Sequence, residues 1–294
     1  MTYTMFVVLV PISLLIVALF VWKWFRDRDD RRDPVNIKVL RGAGDGIREK
    51  LQQHSDSFDS ALILSILLGP IVYITWANRW MSASGLTLSD YGWGWFDFSL
   101  LAMGSAALIG SFIRLIKHAS AARKYRQGLA AELATAQCLN QVMVEGGLVF
   151  HDFPCDGFNI DHVVIGQSAV FAVETKSRLK PGKGGKDSAR VSYDGTKLVF
   201  PSHVETKPLE QSRRQAEWLA KFLASGVGET VRVVPYLALP GWFVENKVPR
   251  PGVLVGNPRN PMFMVRDGFG PSLGEAMKCR IAHVLSERYP AKSG

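Results

Sequence analysis

Residues 159–178 read NIDHVVIGQSAVFAVETKSR, and this stretch decides the fold of the C-terminal part of the chain. Branched and aromatic residues fill two short runs, Ile160 to Ile165 and Ala169 to Lys176, and such residues suit a buried pleated sheet. Residues 166–168 (GQS) separate the runs and predict a tight turn. The pattern therefore predicts a β-hairpin, and this hairpin carries charged residues where a buried hairpin ordinarily has none.

The register of this hairpin decides where its charged residues lie. With a two-residue loop, Ile165 pairs with Val170, and Asp161 pairs with Glu174 four residues further along. Opposed residues have Cβ atoms roughly 4.5–5.5 Å apart, and Lys176 shares the face of Glu174 because it lies two residues beyond it. Two carboxylates at that spacing repel unless a cation lies between them or one is protonated. A loop one residue longer would place them on opposite faces.

An Asp on one strand and Glu-x-Lys on the next is the arrangement that a magnesium-dependent nuclease needs. Carboxylate oxygens hold the metal, which keeps several waters and takes phosphate oxygens from the substrate. A lysine beside the metal-bound water can position or deprotonate it and can offset charge in the transition state. Taken alone, however, the three residues favour a plain salt-bridge cluster on a half-exposed hairpin, because Glu-x-Lys is common.

The charge and cysteine content narrow the class of protein. The 294 residues carry a formal net charge of +9, and residues 117–294 contribute +8 of it through 24 Lys+Arg and 16 Asp+Glu. This excess suits a polyanionic partner, and anionic lipid satisfies it as well as nucleic acid does. Cys138, Cys155 and Cys279 lie far apart. Their spacing argues against a zinc site or a disulfide framework and fits a reducing cytoplasm.

Three apolar runs in the first third of the chain are each long enough to span a bilayer: residues 5–22, 60–77 and 98–116. A cleaved signal peptide competes for the first run, but no Lys or Arg precedes it and no A-x-A-like site follows, which favours an anchor. Segment 23–59 is basic, the loop before the third run has a single basic residue, and basic residues follow that run. The positive-inside rule therefore predicts three spans with the N-terminus outside and the C-terminal part in the cytoplasm.

These patterns divide the chain into a transmembrane region, residues 1–117, and a cytoplasmic domain, residues 118–294. Within the first region, the glycines of residues 42–46 (GAGDG) break any long helix. They do not match a phosphate-binding P-loop, because no Gly-Lys-Ser/Thr follows. A surface role is the prediction for this short stretch.

The cytoplasmic domain alternates helical and strand patterns. The helices are predicted at 119–144, at 207–224 with Pro208 near its start, and at 272–288 with Ser272 as its cap. Strands are predicted at 148–153, 231–239 and 253–255, and a second hairpin at 189–193 and 196–200 surrounds Asp194-Gly195. Residues 240–271 are predicted to be mostly loop.

Four motifs occur in order along this domain: Gly-x-x-x-Glu at 128–132, IDHVVIG at 160–166, VETK at 173–176 and Pro-Leu-x-Gln at 208–211. Together they resemble the nuclease-related domain, NERD, of the PD-(D/E)XK restriction-endonuclease-like superfamily. The resemblance covers about residues 122–224, and it reverses the preference for a plain salt-bridge cluster. It implies an α/β fold, a restriction-endonuclease-like mixed β-sheet flanked by helices, preceded here by the α-helical transmembrane region with its three spans.

The resemblance also implies roles for single residues. Asp161 and Glu174 match the metal-binding acids of the family, and Lys176 matches its catalytic lysine. Glu132 matches the helix glutamate that supports the metal, and Gln211 matches the helix glutamine near the site. Ala131 stands where the family often has glycine, and His162 is predicted to be structural because it points to the other face of its strand.

The implied reaction is hydrolysis of a phosphodiester, with DNA as the expected substrate and Mg²⁺, or Mn²⁺ as a substitute, as the cofactor. Six basic residues are predicted to hold the nucleic-acid backbone: Arg178, Lys180, Lys183, Lys186, Arg213 and Arg214. The expected partners are nucleic acid and the lipid bilayer of a bacterial cytoplasmic membrane, and a homodimer is compatible with the fold. Two other functions stay open: a catalytically silent scaffold that binds nucleic acid or a partner at the membrane, and a structural membrane protein.

Overall fold

The computed structural model describes residues 41–54, 72–77, 79, 94–181 and 186–289. These residues form two compact units. The first contains residues 52–54, 72–77, 79 and 94–122, and the second contains residues 41–51, 123–181 and 186–289. The second unit therefore includes a short segment that lies before the second predicted membrane span.

The described elements, in chain order, are three long helices, nine strands and two 3-10 helices. The helices are α1 (Trp95–Val144), α2 (Lys207–Val227) and α3 (Glu275–Arg288), and residues 45–54 and 72–77 are also helical. The strands are β1 (Leu148–Pro154), β2 (Asn159–Ile165), β3 (Val170–Thr175), β4 (Arg190–Tyr193), β5 (Leu198–Val199), β6 (Val204–Glu205), β7 (Val233–Ala238), β8 (Phe243–Asn246) and β9 (Leu254–Gly256). The 3-10 helices are Lys186–Ala189 and Pro261–Val265.

Helix α1 is the one helix in the described part of the chain that is long and apolar enough to cross a membrane. The third predicted span, residues 98–116, lies within it, and large apolar side chains such as Ile109 and Phe112 are exposed there. The first predicted span, residues 5–22, lies outside the described residues, and of residues 60–77 only 72–77 are described. Among the described residues there is thus one candidate span, where the sequence predicts three.

The third predicted span and the helix predicted at 119–144 are separate segments in the sequence, whereas in the structure they form one helix, α1, that continues unbroken to Val144. Residues 117 and 118, between the two segments, are neither Gly nor Pro, so nothing in the sequence ends the helix there. The predicted end of the helix at residue 144 is confirmed. Gly146 has a φ of 84°, and its N–H donates to Met143 O.

The second unit contains two mixed sheets, which confirms the predicted α/β class. The larger sheet has the order β1-β2-β3-β7-β9, with antiparallel pairing from β1 to β3 and parallel pairing from β3 to β9. The smaller sheet has the order β6-β5-β4-β8 and contains the predicted second hairpin. Every residue of β3 is buried, as in an interior strand covered on both faces.

Helices cover both faces of the larger sheet. Leu219 and Leu223 of α2 pack with Ile281 of α3 against one face. Leu139 and Val142 of α1 pack against the other. The carboxyl ends of β3 and β7 therefore lie between helices, and at this edge α1 and α2 can bring polar side chains to the sheet.

One prediction for the last part of the chain is confirmed and one is wrong. Residues 240–271 are mostly loop, as predicted, and they also contain strand β8, a short exposed strand that depends on parallel pairing with β4. Helix α3 starts after Gly274 and has no side-chain cap. Ser272 is not its cap, because its hydroxyl accepts a hydrogen bond from Gln167 Nε2 at 2.9 Å.

Candidate active site

The turn of the central hairpin sets the register predicted from the sequence. Gly166 N–H donates to Ala169 O at 3.0 Å, and Ile165 pairs with Val170. Gly166 is required here, because a Cβ at this position would lie 2.0 Å from Met264 O. The ladder continues to the pair His162–Val173. One step further in the same register, Asp161 lies opposite Glu174, so both carboxylates share one face of the sheet.

The carboxylate of Glu174 is buried and accepts hydrogen bonds from three side chains. Its Oε1 accepts from Lys176 Nζ and from Gln211 Nε2, the latter at 2.8 Å. Its Oε2 accepts from Gln215 Nε2 at 2.6 Å. Gln211 and Gln215 lie one turn apart on α2, so both amides face β3. Hydrogen bonds to both carboxylate oxygens therefore fix the orientation of the Glu174 side chain.

Gln215 has no role in the motif-based prediction, although it is more deeply buried than Gln211. It also donates to the carbonyl oxygen of Asn159, at 3.3 Å. The only sequence signal for it is its spacing of four residues from Gln211, which places both on the same helix face.

Asp161 lies beside Glu174 and is partly exposed. Its Oδ2 accepts the backbone N–H of Thr175 at 2.6 Å. Burial of the carboxyl group, together with the negative charges of Glu174 and Glu132, raises the pKa of Asp161 well above its usual value, although the Thr175 N–H and Lys176 oppose the shift. Burial thus disfavours the ionised form of Asp161, and the two neighbouring carboxylates add to this effect.

Glu132 reaches the same group of acids from α1. Only 8% of the residue is exposed, and burial, with smaller contributions from Asp152 and Glu174, raises its pKa to about 7. Lys176 and Lys50 act in the opposite direction. The Glu132 carboxyl can therefore gain or lose a proton near neutral pH.

A second wall faces these acids, and it is built around the buried carboxylate of Asp152 on β1. Asp152 accepts hydrogen bonds from Arg41 Nε at 3.0 Å, from Gly46 N–H at 2.9 Å and from Asn159 Nδ2 at 2.8 Å. Its φ of 49° is in the left-handed region, which Asp adopts more readily than most residues. The hydroxyl of Tyr289 also contacts the carbonyl oxygen of Arg41. These contacts hold residues 41–51 against β1 and Tyr289 within the second unit.

The prediction of a surface role for residues 42–46 is therefore wrong. A Cβ at Gly46 would lie 3.3 Å from both carboxylate oxygens of Asp152, so the glycine permits the close approach of the backbone. Gly44, with a φ of 76°, packs against Leu129 and Glu132 of α1. These partners are more than 80 residues away in the sequence, and no local pattern identifies them.

Both walls line one cavity of about 790 Å³. All five predicted catalytic residues line it: Glu132, Asp161, Glu174, Lys176 and Gln211. The cavity is of the size that proteins use for small ligands or for part of a larger substrate. The structure thus brings together side chains from α1, β2, β3 and α2.

Of the six predicted phosphate-binding residues, those that the structure describes are not brought together. Arg178 lines the cavity, but its guanidinium makes a two-point ion pair with Glu205, with Nε and Nη2 each 2.8 Å from a carboxylate oxygen. Arg213 donates to Gly195 O at 3.4 Å. The others are placed as follows: Lys180 and Arg214 are exposed outside the cavity, Lys186 begins a 3-10 helix, and Lys183 lies outside the described residues.

His162 does not line the cavity. It is fully buried, and its Nδ1 lies 2.9 Å from Nδ1 of His151 on the neighbouring strand. Burial, with a smaller effect of His151, lowers the pKa of His162 to about 3. The imidazole is therefore neutral and lies away from the carboxylates.

The donor set is consistent with a hard divalent cation. Carboxylate oxygens are the ligands that Mg²⁺ and Mn²⁺ prefer, and the cavity brings the carboxylates of Asp161 and Glu174 together. Among the described residues, no group of three or more His, Cys, Asp or Glu side chains is arranged as a formed metal centre. Lys176 instead provides the positive charge beside Glu174.

Comparison with known families agrees with the motif-based resemblance. A family model described as the nuclease-related domain matches residues 127–240. This range contains the five predicted catalytic residues and Gln215, but it excludes residues 41–51 and Lys124. No curated protein and no solved structure matches the chain significantly.

Proposed function

We propose that the chain is a membrane-anchored, divalent-metal-dependent nuclease that hydrolyses phosphodiester bonds in DNA. One observation carries the proposal: three carboxylates and Lys176 converge in one cavity, inside the segment that matches a nuclease-related domain. A plain surface salt-bridge cluster does not need three buried or partly buried acids around a single lysine, because uncompensated buried charge is unfavourable.

Asp161 and Glu174 would hold Mg²⁺, or Mn²⁺ in its place. The ion would supply charge stabilisation and a water of lowered pKa. Lys176 places a positive charge where the transition state gains negative charge on the phosphate oxygens. Gln211 and Gln215 keep the Glu174 carboxylate in one orientation. Glu132, with its pKa of about 7, can hold or release a proton at the working pH.

One observation favours a second candidate, the catalytically silent scaffold that binds nucleic acid or a partner. Three side-chain donors already satisfy the carboxylate of Glu174, and Lys176 neutralises it. Metal binding distinguishes the two functions. If the chain is a nuclease, Mg²⁺ or Mn²⁺ should bind at the Asp161–Glu174 pair. If it is a scaffold, neither ion should bind there.

The test uses the full chain in neutral detergent, because residues 41–51 complete the domain. Plasmid, linear and single-stranded DNA, and RNA, are incubated with Mg²⁺, with Mn²⁺ or with chelator. Lys176→Met is compared with Lys221→Met, which changes an exposed lysine of α2. We expect metal-dependent cutting, lowered on the order of 10²–10⁴-fold in Lys176→Met and unchanged in the control. DNA binding with no cutting by the unmodified chain would instead favour the scaffold.

For the location, we propose a bacterial cytoplasmic membrane, with the N-terminus outside and the nuclease-like domain in the cytoplasm. The apolar first half of α1 and the basic residues that follow it support this orientation. A reporter that is active only in the cytoplasm, fused after residue 294, should be active. An inactive reporter there, with an active periplasmic reporter at the same position, would contradict the orientation.

A further inference from the structure

The cavity of the candidate active site contains two lysines that the motif does not include. Lys50 comes from the segment before the second predicted span, and Lys124 comes from α1. Both are exposed, and neither makes an ion pair or hydrogen bond with any described residue. The other two cations of the cavity are already engaged, Lys176 with Glu174 and Arg178 with Glu205.

The local packing explains why both lysines face the cavity. Lys124, Gly128 and Glu132 are spaced at intervals of four residues, so they lie along one face of α1. A Cβ at Gly128 would lie 3.3 Å from Ile47 Cδ1, so residue 47 packs on that face. Lys50 lies one turn beyond Gly46, which is anchored to Asp152. The anchored segment thus brings Lys50 to the cavity that Lys124 also lines.

The charge distribution shows why such cations are needed. Four carboxylates line the cavity, those of Glu132, Asp152, Asp161 and Glu174. A polyanion that approaches them is repelled unless positive charge lies along its path. Because Lys176 and Arg178 are paired, Lys50 and Lys124 are the cations among the described cavity residues that remain free to contact an entering phosphate.

We propose that Lys50 and Lys124 form a phosphate-binding subsite for a nucleic-acid phosphodiester next to the one that is cut. The inference rests on the proposed nuclease function. It assigns the contacts with the nucleic-acid backbone to this wall of the cavity rather than to Lys180, Arg213 and Arg214. Contacts of lysine with phosphate carry no base information. The subsite therefore contributes affinity and position, and leaves sequence preference to other groups.

Binding of fluorescent single-stranded and duplex DNA, measured by anisotropy on the full chain in neutral detergent, tests the subsite. Chelator is present so that no cutting occurs. The variants are Lys50→Gln, Lys124→Gln and the double variant, with Lys50→Arg as the charge-preserving control and Arg214→Gln as the control outside the cavity. We expect each Lys→Gln change to lower the slope of log affinity against log salt by about 0.7–0.9 over roughly 50–200 mM. Both controls should keep the original slope.

Either of two results overturns the proposal. In the first, the double variant keeps both the salt slope of DNA affinity and the melting temperature of the unmodified chain. In the second, Arg214→Gln lowers the slope and the lysine variants do not. Anionic lipid offers the same phosphate chemistry. If the double variant loses binding of fluorescent phosphatidylglycerol in micelles but keeps its DNA slope, the occupant is lipid and the proposal fails. Because binding is measured without metal, this outcome is independent of whether the unmodified chain cuts DNA.

Discussion

The two walls of the cavity are built in different ways. The wall of β2, β3 and α2 takes its functional side chains from residues 161–215, and a single hairpin turn aligns two of them. The wall around Asp152 joins segments 106 and 111 residues apart through the contacts of Gly46 and Arg41. In the proposed function, the first wall would carry out the reaction and the second would contact the phosphates of the substrate. The difference indicates that separate substitutions can alter the proposed catalytic side chains and the entry of substrate to them.

The largest expected effect concerns the anchoring of the second wall. Asp152→Asn keeps a side chain that tolerates positive φ but removes the charge that Arg41 and Gly46 N–H share. We expect a loss of about 1–3 kcal/mol in unfolding free energy, because buried donors lose part of their acceptor. Hydrogen exchange of the amides in residues 42–48 should accelerate in the same variant.

Asp156→Asn is the matched control for this change. Asp156 pairs with Arg288, but its side chain is 73% exposed, and ion pairs between exposed groups contribute little to stability. Equal exchange rates in residues 42–48 for Asp152→Asn and the unmodified chain would show that the second wall does not depend on this carboxylate.

The next effect belongs to the first wall. Gln215→Leu removes the one side-chain donor to Glu174 Oε2 among the described residues. Gln215 also has a buried Oε1 without a partner among the described residues, so its removal should change the unfolding free energy by less than about 1 kcal/mol. Cleavage should fall on the order of 10–100-fold, as for partners that orient a metal ligand, with a higher Mn²⁺ concentration needed for half-maximal activity.

Gln211→Leu provides the comparison for Gln215→Leu. Gln211 donates to Oε1, which Lys176 also contacts, so Glu174 should keep its orientation better when Gln211 is lost. The activity of Gln211→Leu should therefore fall less than that of Gln215→Leu. A larger loss in Gln211→Leu would mean that Gln211 contacts the substrate, and would remove the positioning role of Gln215.

The first wall could be predicted from the sequence because its geometry is local. The turn at Gly166 fixes the register of β2 on β3, and this register alone places Asp161 opposite Glu174. The alternation of side chains then puts Lys176 on the same face. Gln215 was not predicted, because its place depends on how deeply α2 packs on the sheet, which is a tertiary property.

The second wall could not be predicted because no periodic pattern links residues 41–51 to β1. In the sequence, the glycines at 44 and 46 indicate only a break in a helix, but the structure shows that they permit close approach to Glu132 and Asp152. From the sequence, Lys50 is only one of the basic residues that set membrane topology. The ion pair of Arg178 with Glu205 is likewise not revealed by sequence spacing, and the phosphate-binding role of Arg178 stays a prediction.

The pH dependence of stability tests the acid cluster where the two walls meet. The folded-state pKa of Glu132 is raised from 4.5 to about 7 by burial, Asp152 and Glu174. The native state therefore binds more protons than the unfolded state between these values, so this group destabilises the fold as pH rises through that window. The effect is about 1.4 kcal/mol for each pH unit of the shift.

Thermal unfolding in chelator from pH 4.5 to 7 measures this dependence. Glu132→Gln should remove much of the fall in stability across the window, and added Mn²⁺ should also reduce it, because bound cation favours the ionised form. An identical pH profile for Glu132→Gln and the unmodified chain would mean that Glu132 titrates normally and does not belong to the buried cluster.

The smallest expected effect measures how firmly residue 47 packs on α1. In a helix interior, Gly→Ala stabilises by about 1 kcal/mol, but a Cβ at Gly128 would meet Ile47 Cδ1 at 3.3 Å. Gly128→Ala alone should therefore gain less than that amount. Ile47→Val removes the one atom in conflict, so the double variant should be more stable than the sum of the single changes by about 0.5 kcal/mol or more. Strict additivity would mean that residues 44–47 move away from α1 without resistance, and the second wall would then be a loosely held segment that cannot hold Lys50 beside Lys124.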